Sequence, residues 1–359
     1  MTSVLFEPYR LGRITLPNRV VMAPMTRCRA IGNVPNALMA TYYGQRATGG
    51  LLITEGTAPA PEALSYARIP GIFTAEQVAG WKLVTGAVHA RGGAIFLQMM
   101  HTGRVGHPAN LPEGTGLVAP SALQAKGDMW TDSQGMQPIG MPRALTTAEL
   151  LTVQESFVQG ANHAITAGFD GIELHAANGY LLEQFLNPGT NQRTDGYGGS
   201  VEARARFVLE VAAKTAGAIG ADRVGIRLSP FGVFNDMPPY DEVEATYLLL
   251  ARELSRLGLA YLHLVDHSAM GAPPVPDDIK AALRKTFQGT FILSGGYDRA
   301  RAENDLAAKK GDLVAFGRPF LANPDLVQRL QDHALLAEAH MDSFYTPGEQ
   351  GYTDYPALA

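Results

Sequence analysis

The chain has one cysteine, Cys28, among 359 residues. A single thiol excludes an intramolecular disulfide, a cysteine-type structural zinc site and an iron–sulfur cluster, and it fits a reducing, cytoplasmic setting. Cationic excess is also missing. Twenty-nine Lys and Arg stand against 34 Asp and Glu, giving a net charge of −5, so there is no broad basic field to gather nucleic acid or anionic membrane by counterion release. No run of about 18 apolar residues occurs, as a membrane-spanning helix would need. The first residues, MTSVLFEPYRLG, carry Glu7 and Pro8 where a signal peptide needs an unbroken apolar stretch. Tandem repeats, low-complexity tracts and linker-like composition breaks are absent, so a single domain over residues 1–359 is expected.

What is present is a large potential core. With 46% hydrophobic residues and a mean hydropathy of −0.02, the composition is that of a globular chain. Short apolar runs alternate with longer helical patterns. The runs predict strands at Arg19–Ala23, Leu51–Glu55, Ala94–Met99, Gly171–His175, Val224–Ser229, Tyr261–Val265, Phe291–Ser294 and Leu313–Phe316. Helices are predicted at Asn36–Ala47, Ala75–Ala90, Thr147–Ala167, Val201–Ala218, Asp241–Leu257, Pro276–Thr286, Arg299–Lys309 and Pro324–Gln331. In the fifth helix Val243, Tyr247, Leu250, Leu254 and Leu257 recur every three or four residues, and Asp241 is placed to cap its start. Gly92, Gly93, Gly168 and Gly258 stand where helices end, at positions suited to left-handed caps.

Eight strand–helix repeats predict an α/β fold of the (β/α)8 TIM-barrel type. The surplus length lies in two loops, 101–145 after the third strand and 178–199 after the fourth. Catalytic groups of such barrels come from the C-terminal strand ends, so both loops are expected over the active face.

The segment HAANGY at 175–180 falls at the end of the fourth strand. A neutral histidine and an asparagine can each offer an N–H to one oxygen, so His175 and Asn178 could bind a carbonyl or nitro group and draw electron density from it. Tyr180, with a reference pKa of about 10, stays protonated at neutral pH and could act as a general acid. The alternative is that these residues merely fill the barrel mouth. The run after them, with the charged pair Arg193 and Asp195, reads as an ordered lid or scaffold, or as a long turn.

Extended to residue 200, HAANGYLLEQFLNPGTNQRTDGYGGS resembles the segment that marks the old yellow enzyme family of FMN-dependent ene-reductases. The resemblance continues through LFEPYRLGRITLPNRVVMAPMTR near the start, LQMMHTGR at 97–104, AFGRPFLANPDLV at 315–327 and GYTDYP at 351–356. It covers essentially the whole chain. It implies FMN in the barrel, NADPH or NADH as hydride donor, and activated alkenes or nitro compounds as acceptors, with no metal. A monomer or small homo-oligomer is expected.

The resemblance also assigns positions. Pro24, Met25 and Thr26 follow the first strand, and the Thr26 hydroxyl would donate to the flavin. Gly56 would let the ring approach, Gln98 would offer a donor and an acceptor to its pyrimidine edge, and Arg227 would bring positive charge to the N1 and C2 oxygen region. Gly295, Gly296, Gly317 and Arg318 would hold the phosphate, although these glycines could equally make only tight turns. His175, Asn178 and Tyr180 would be the catalytic set. Met100, Phe234 and Tyr345 would form substrate-side walls, Met100 standing where relatives often have tryptophan. Threonine at position 26 places the chain with the threonine branch of the family, so Cys28 reads as structural. An RNA-modifying FMN barrel would be expected to show a basic face and an added RNA-binding domain, and neither is found.

Overall fold

A computed structural model describes residues 3–358. Eight strands form a closed parallel barrel: β1 (Val20–Met22), β2 (Leu51–Ile53), β3 (Ile95–Met99), β4 (Gly171–Ala176), β5 (Val224–Leu228), β6 (Tyr261–Val265), β7 (Thr290–Ser294) and β8 (Leu313–Phe316). Their order around the barrel follows the chain, and β8 closes on β1 with Phe316 beside Met22. The helices outside are α1 (Ala37–Gln45), α2 (Ala75–His89), α3 (Thr147–Thr166), α4 (Val201–Ile219), α5 (Val243–Arg256), α6 (Asp277–Thr286), α7 (Arg299–Ala307) and α8 (Leu326–Asp332). All eight expected strands and all eight expected helices are therefore found, within a few residues at their ends.

Both faces of these strands are buried, which is why they read as near-continuous apolar runs rather than alternating ones. Outward-facing Val20, Leu52, Leu97, Leu174, Ile226 and Leu262 join the helix-lined core. Inward-facing Val21, Leu51, Phe96, Tyr261, Ile292 and Leu313 fill the lower barrel. Phe96 and Tyr261 are large, and β5 makes room for them: a Cβ at Gly225 would stand 2.1 Å from the Tyr261 ring. A hairpin absent from the sequence reading, Tyr9–Leu11 paired with Ile14–Leu16, seals the bottom with Leu11 and Leu16.

One layer higher the inward positions turn polar. Parallel register sets Gln98 beside Glu173 on β3 and β4. It also sets His175 beside Arg227, and Arg227 beside His263, across β4, β5 and β6. The apolar lower layers thus support a polar floor at the C-terminal end.

The loops above that floor contain structure of their own. Residues 101–145 hold an antiparallel hairpin, Asp128–Thr131 with Gly135–Pro138. The 178–199 loop opens with a short helix, Leu181–Leu186. Arg193 ties the two loops together: it pairs with Asp195 and donates to the carbonyls of Pro120 and Leu145. Asp195 accepts from Thr147 at the start of α3. This run is a scaffold. Two local expectations need correction. Helix α5 starts at Val243 after Glu242 with no side-chain cap, so Asp241 does not cap it. Gly92, Gly168 and Gly258 do take positive φ, whereas Gly93 does not.

Candidate active site

A cavity of about 490 Å3 opens at the C-terminal end of the barrel. Its walls bring together residues from strands far apart in sequence: Pro24, Met25 and Thr26 after β1, Asn178 after β4, Arg227 on β5, Gly295 and Gly296 after β7, and Gly317 and Arg318 after β8. Tyr345 from the late chain is also in this wall.

The glycine pair after β7 is required by the backbone path. Gly295 has φ +138° and Gly296 φ +61°. A Cβ at Gly295 would lie 2.1 Å from the Asp266 carbonyl oxygen, and one at Gly296 would lie 2.5 Å from the Ala269 Cβ. Such a bare backbone is a cradle that an anionic oxygen could approach, and the exposed Arg318 guanidinium stands on the same wall. Gly317 is less constrained, because the nearest atom to a Cβ there would be Met25 Sδ at 3.6 Å.

Arg227 is the charge at the floor. It is 6% exposed, and its Nε is buried without a partner. Burial lowers its pKa and Glu173 opposes that shift. A buried guanidinium is strongly disfavoured unless a negative or acceptor group meets it. Below it lies a tight network: Gln98 Nε2 donates to Glu173 Oε1 at 2.8 Å, and Glu173 Oε2 is 2.8 Å from His263 Nδ1. Burial would raise the Glu173 carboxyl, but His263, Arg227 and Gln98 hold it below its ordinary value. One N–H of the Gln98 amide is thus engaged with Glu173, which leaves its other N–H and its oxygen for a ligand.

His175 and Tyr180 stand beside the cavity, their rings 5.0 Å apart in an edge-to-face pair. Burial and the nearby Arg227 push the His175 pKa well below its ordinary value, so the ring is neutral. Its Nδ1 is buried without a hydrogen-bond partner. Tyr180 hydroxyl is 3.0 Å from the Tyr66 hydroxyl. Burial raises the Tyr180 pKa against the bonds from Tyr66 and Asn235, so the phenol keeps its proton at neutral pH.

Asn178 sits at φ +59°, and three groups fix it. Its N–H donates to Ser229 Oγ at 2.8 Å, its carbonyl accepts from Asn235 Nδ2 at 2.7 Å, and its Oδ1 is 2.7 Å from His267 Nε2. Ser229 in turn donates to Glu183.

The remaining expected positions are distributed as follows. Met100 is 1% exposed and occupies the space over Gly56, where a Cβ would meet Met100 Sδ at 2.6 Å. The glycine there admits a thioether. Met100 belongs to an apolar cluster against which Tyr66 and Tyr180 pack. Phe234 is not in the cavity wall; its ring lies 4.5 Å from the His267 ring, edge to face. Cys28 is buried, at φ +56°, with its thiol pushed up to about 12 by burial and Glu55, so it stays protonated. Among the described residues no cluster of three or more His, Cys, Asp or Glu could hold a metal. Among the described residues no helix is long and apolar enough to cross a membrane.

Sequence reading missed Tyr66, Asn235, His267, Glu173 and His263. Glu173 and His263 carried a usable signal, since each is a polar residue at an inward position of a buried strand. Tyr66 and His267 lie in irregular loops whose course is set by packing.

The cavity and its polar groups fit an FMN: a bare glycine cradle and Arg318 for a phosphate, and the unpartnered Arg227 for the electron-rich edge of the ring. Comparison with known proteins agrees. Residues 4–336 match the NADH:flavin oxidoreductase / NADH oxidase family. The chain is 44% identical to 12-oxophytodienoate reductase 1 of Oryza sativa subsp. japonica, over 99% of this chain and 93% of that protein. The structure of morphinone reductase matches with a TM-score of 0.96 at 48% identity, covering 100% of this chain and 97% of the other. The old yellow enzyme homologue from Zymomonas mobilis matches with a TM-score of 0.94 at 38% identity, over 99% of both chains. The chain belongs to the NADH:flavin oxidoreductase / NADH oxidase family, and is an FMN-dependent oxidoreductase of the old yellow enzyme type.

Proposed function

We propose that the protein is an ene-reductase that moves a hydride from NADPH or NADH to an α,β-unsaturated carbonyl, maleimide or nitroalkene. The observation that carries this reading is the pairing of a neutral His175, with an unpartnered buried nitrogen, and a rigidly held Asn178 amide beside Arg227, whose buried Nε has no partner. FMN, when bound, would supply the two-electron redox chemistry that links the nicotinamide to the alkene.

The chain's own residues do the rest. Pro24, Met25, Thr26, Gln98, Arg227, Gly295, Gly296, Gly317 and Arg318 would hold the cofactor. His175 and Asn178 donate N–H groups to the substrate oxygen, which draws electron density from the alkene without any change in protein charge. Tyr180 gives its hydroxyl proton to Cα from the opposite face, and Tyr66, 3.0 Å away, orients that hydroxyl. Met100 and Tyr345 shape the pocket. One site serves donor and acceptor in turn, so the kinetics are ping-pong. Morphinone reductase has a solved structure in complex with tetrahydroNAD, which supports a nicotinamide as the first substrate here.

The test is spectroscopic. Without oxygen, NADPH or NADH is expected to bleach the flavin bands and 2-cyclohexenone to restore them. In Tyr180→Phe the bleaching rate should stay within about threefold while recovery slows about 10²-fold. Equal slowing of both phases would remove Tyr180 as the proton donor, and failure of the enone to restore the bands would remove the proposed substrate class.

A further inference from the structure

His267 lies two residues beyond the end of β6, where it opens the turn Ser268–Met270. Its carbonyl oxygen accepts from the N–H groups of Met270 and Ala272 at 2.8 and 3.3 Å, so the backbone is anchored. The preceding Asp266 accepts from the Ser268 N–H at 2.9 Å and pairs with Lys280 at 2.7 Å. The imidazole leaves this anchored turn, packs against the Phe234 ring, and puts Nε2 at 2.7 Å from Asn178 Oδ1. Both residues line the 490 Å3 cavity.

An asparagine side chain is two-faced. Its oxygen accepts and its NH2 donates, and a 180° rotation about the last bond exchanges them at little steric change. At an oxygen-binding site the two orientations have opposite effects: the NH2 attracts a carbonyl or phenolate oxygen, and the amide oxygen repels it. The backbone of Asn178 is fixed by Ser229 and Asn235, but neither bond distinguishes the two ends of the amide. The contact with His267 does so through the ring tautomer, because an Nε2 that carries the proton takes the amide oxygen and an Nε2 without it takes the NH2. A neutral imidazole protonated at Nε2 is a donor, so it takes the amide oxygen and leaves the NH2 for the ligand. Burial, with Arg227 adding to it, lowers the His267 pKa to about 4 and keeps the ring neutral at physiological pH.

We propose that His267 is the positioning residue of the substrate-oxygen site: its Nε2–H holds Asn178 Oδ1 and thereby turns the Asn178 NH2 toward the oxygen of the bound substrate. This rests on the reading of His175 and Asn178 as the donor pair. Phe234 then acts through His267, as the face that stops the imidazole from rotating away.

The experiment is a double-substitution cycle on the FMN-loaded protein, reading the Kd of 4-chlorophenol by isothermal titration calorimetry, with flavin content and Tm recorded for every variant. His267→Leu is expected to raise Kd at least tenfold. His267→Gln, which keeps a donor at similar reach, is expected to stay within threefold of the parent. In an Asn178→Ala background, His267→Leu should change Kd less than twofold, because no amide remains to orient. His267→Ser, which is too short to reach Asn178, replaces the leucine variant should that one not fold. An unchanged Kd in His267→Leu or His267→Ser overturns the proposal, as does an equal loss in both backgrounds, which would mean that His267 acts independently of Asn178. If Asn178→Ala itself binds 4-chlorophenol as the parent does, the donor-pair reading falls and the positioning role falls with it.

Discussion

At position 227 an arginine guanidinium sits at the barrel floor with a buried, unpartnered Nε. Such a charge is a poor contributor to the stability of the ligand-free chain and a strong one to binding, because only the ligand completes it. Arg227→Met is therefore expected to weaken FMN binding at least tenfold, about 1.4 kcal/mol, while leaving the Tm of the flavin-free protein the same or higher. Flavin retention after dialysis and thermal melts of the stripped protein check this; unchanged retention would move the anion-facing role elsewhere. The same residue-scale logic separates Cys28 from the site. A thiol held protonated at about 12 beside Glu55 is an inert filler, whereas Thr26, two residues earlier, is in the cavity wall.

Among the elements, the late chain has the least regular structure and a defined task. It runs back over the barrel mouth, and arginines from the loop after β1 satisfy its carbonyls. Arg29 donates to Phe344, Ser343 and Gln350 at 2.7, 2.8 and 2.9 Å, and Arg27 donates to Gly351 at 2.6 Å. Tyr352 stacks on Tyr42 at 4.0 Å. This strap carries Tyr345 to the cavity, where Arg68 donates to its carbonyl at 2.9 Å. Arg29→Ala would leave several carbonyls unpaired, so a loss of about 3 kcal/mol is expected, with new proteolytic cleavage within 340–350 and faster FMN loss. Denaturant unfolding and limited proteolysis test it, and cleavage confined to other loops would count against the strap. The elements that were legible are those with strong local patterns: β3 to β8 are buried on both faces and read as short, mainly apolar runs, and α3 has Thr146 and Glu149 as a capping box. The hairpin at 128–138 was not legible, since most of its residues are exposed or half-buried and it offers no periodic signal. Helix Arg318–Ala322 is only five residues long. Asp241 failed as a cap because the chain turns into the helix at Glu242, whose carboxylate meets Arg204.

For the molecule as a whole, buried titratable groups of opposite sign set the pH response. His101 is held at about 3 and His267 at about 4 by burial, and His175 well below its ordinary value. Their folded pKa values lie below the unfolded one, so the unfolded state binds more protons, and stability falls as pH drops from about 6.5. Glu55 and Glu183 are raised to about 7 by burial. Here the folded state binds more protons between about 4.5 and 7, so lowering pH through that window adds stability. Between about pH 6.5 and 4.5 the three histidines outweigh the two carboxylates by about one proton, so a moderate loss of stability remains. Below that, the two raised carboxylates are protonated in both states, while the histidines still lose and Asp195, lowered to about 2 by Arg193, begins to lose. Stability from denaturant unfolding should thus decline moderately from about pH 6.5 to 4.5, by about 1.4 kcal/mol per pH unit for the one unmatched proton, and more steeply below about 4.5. A decline as steep between about pH 6.5 and 4.5 as below about 4.5 would show that the buried carboxylates are not raised.

By itself the sequence determined the barrel and the strand ends at which its chemistry is gathered. Eight strand–helix units joined in order can close only with all their C-terminal ends on one side, so His175, Arg227, Gly295 and Gly317 had to converge. Only the tertiary structure decided how these groups are partnered: His267 on Asn178, across 89 residues; Tyr66 on Tyr180, across 114; and the Met100 thioether over Gly56. Those choices depend on strand register and on how the loops pack against one another. No local propensity or periodicity carries that information, because each contact is made by side chains whose nearest neighbours in space are remote in sequence.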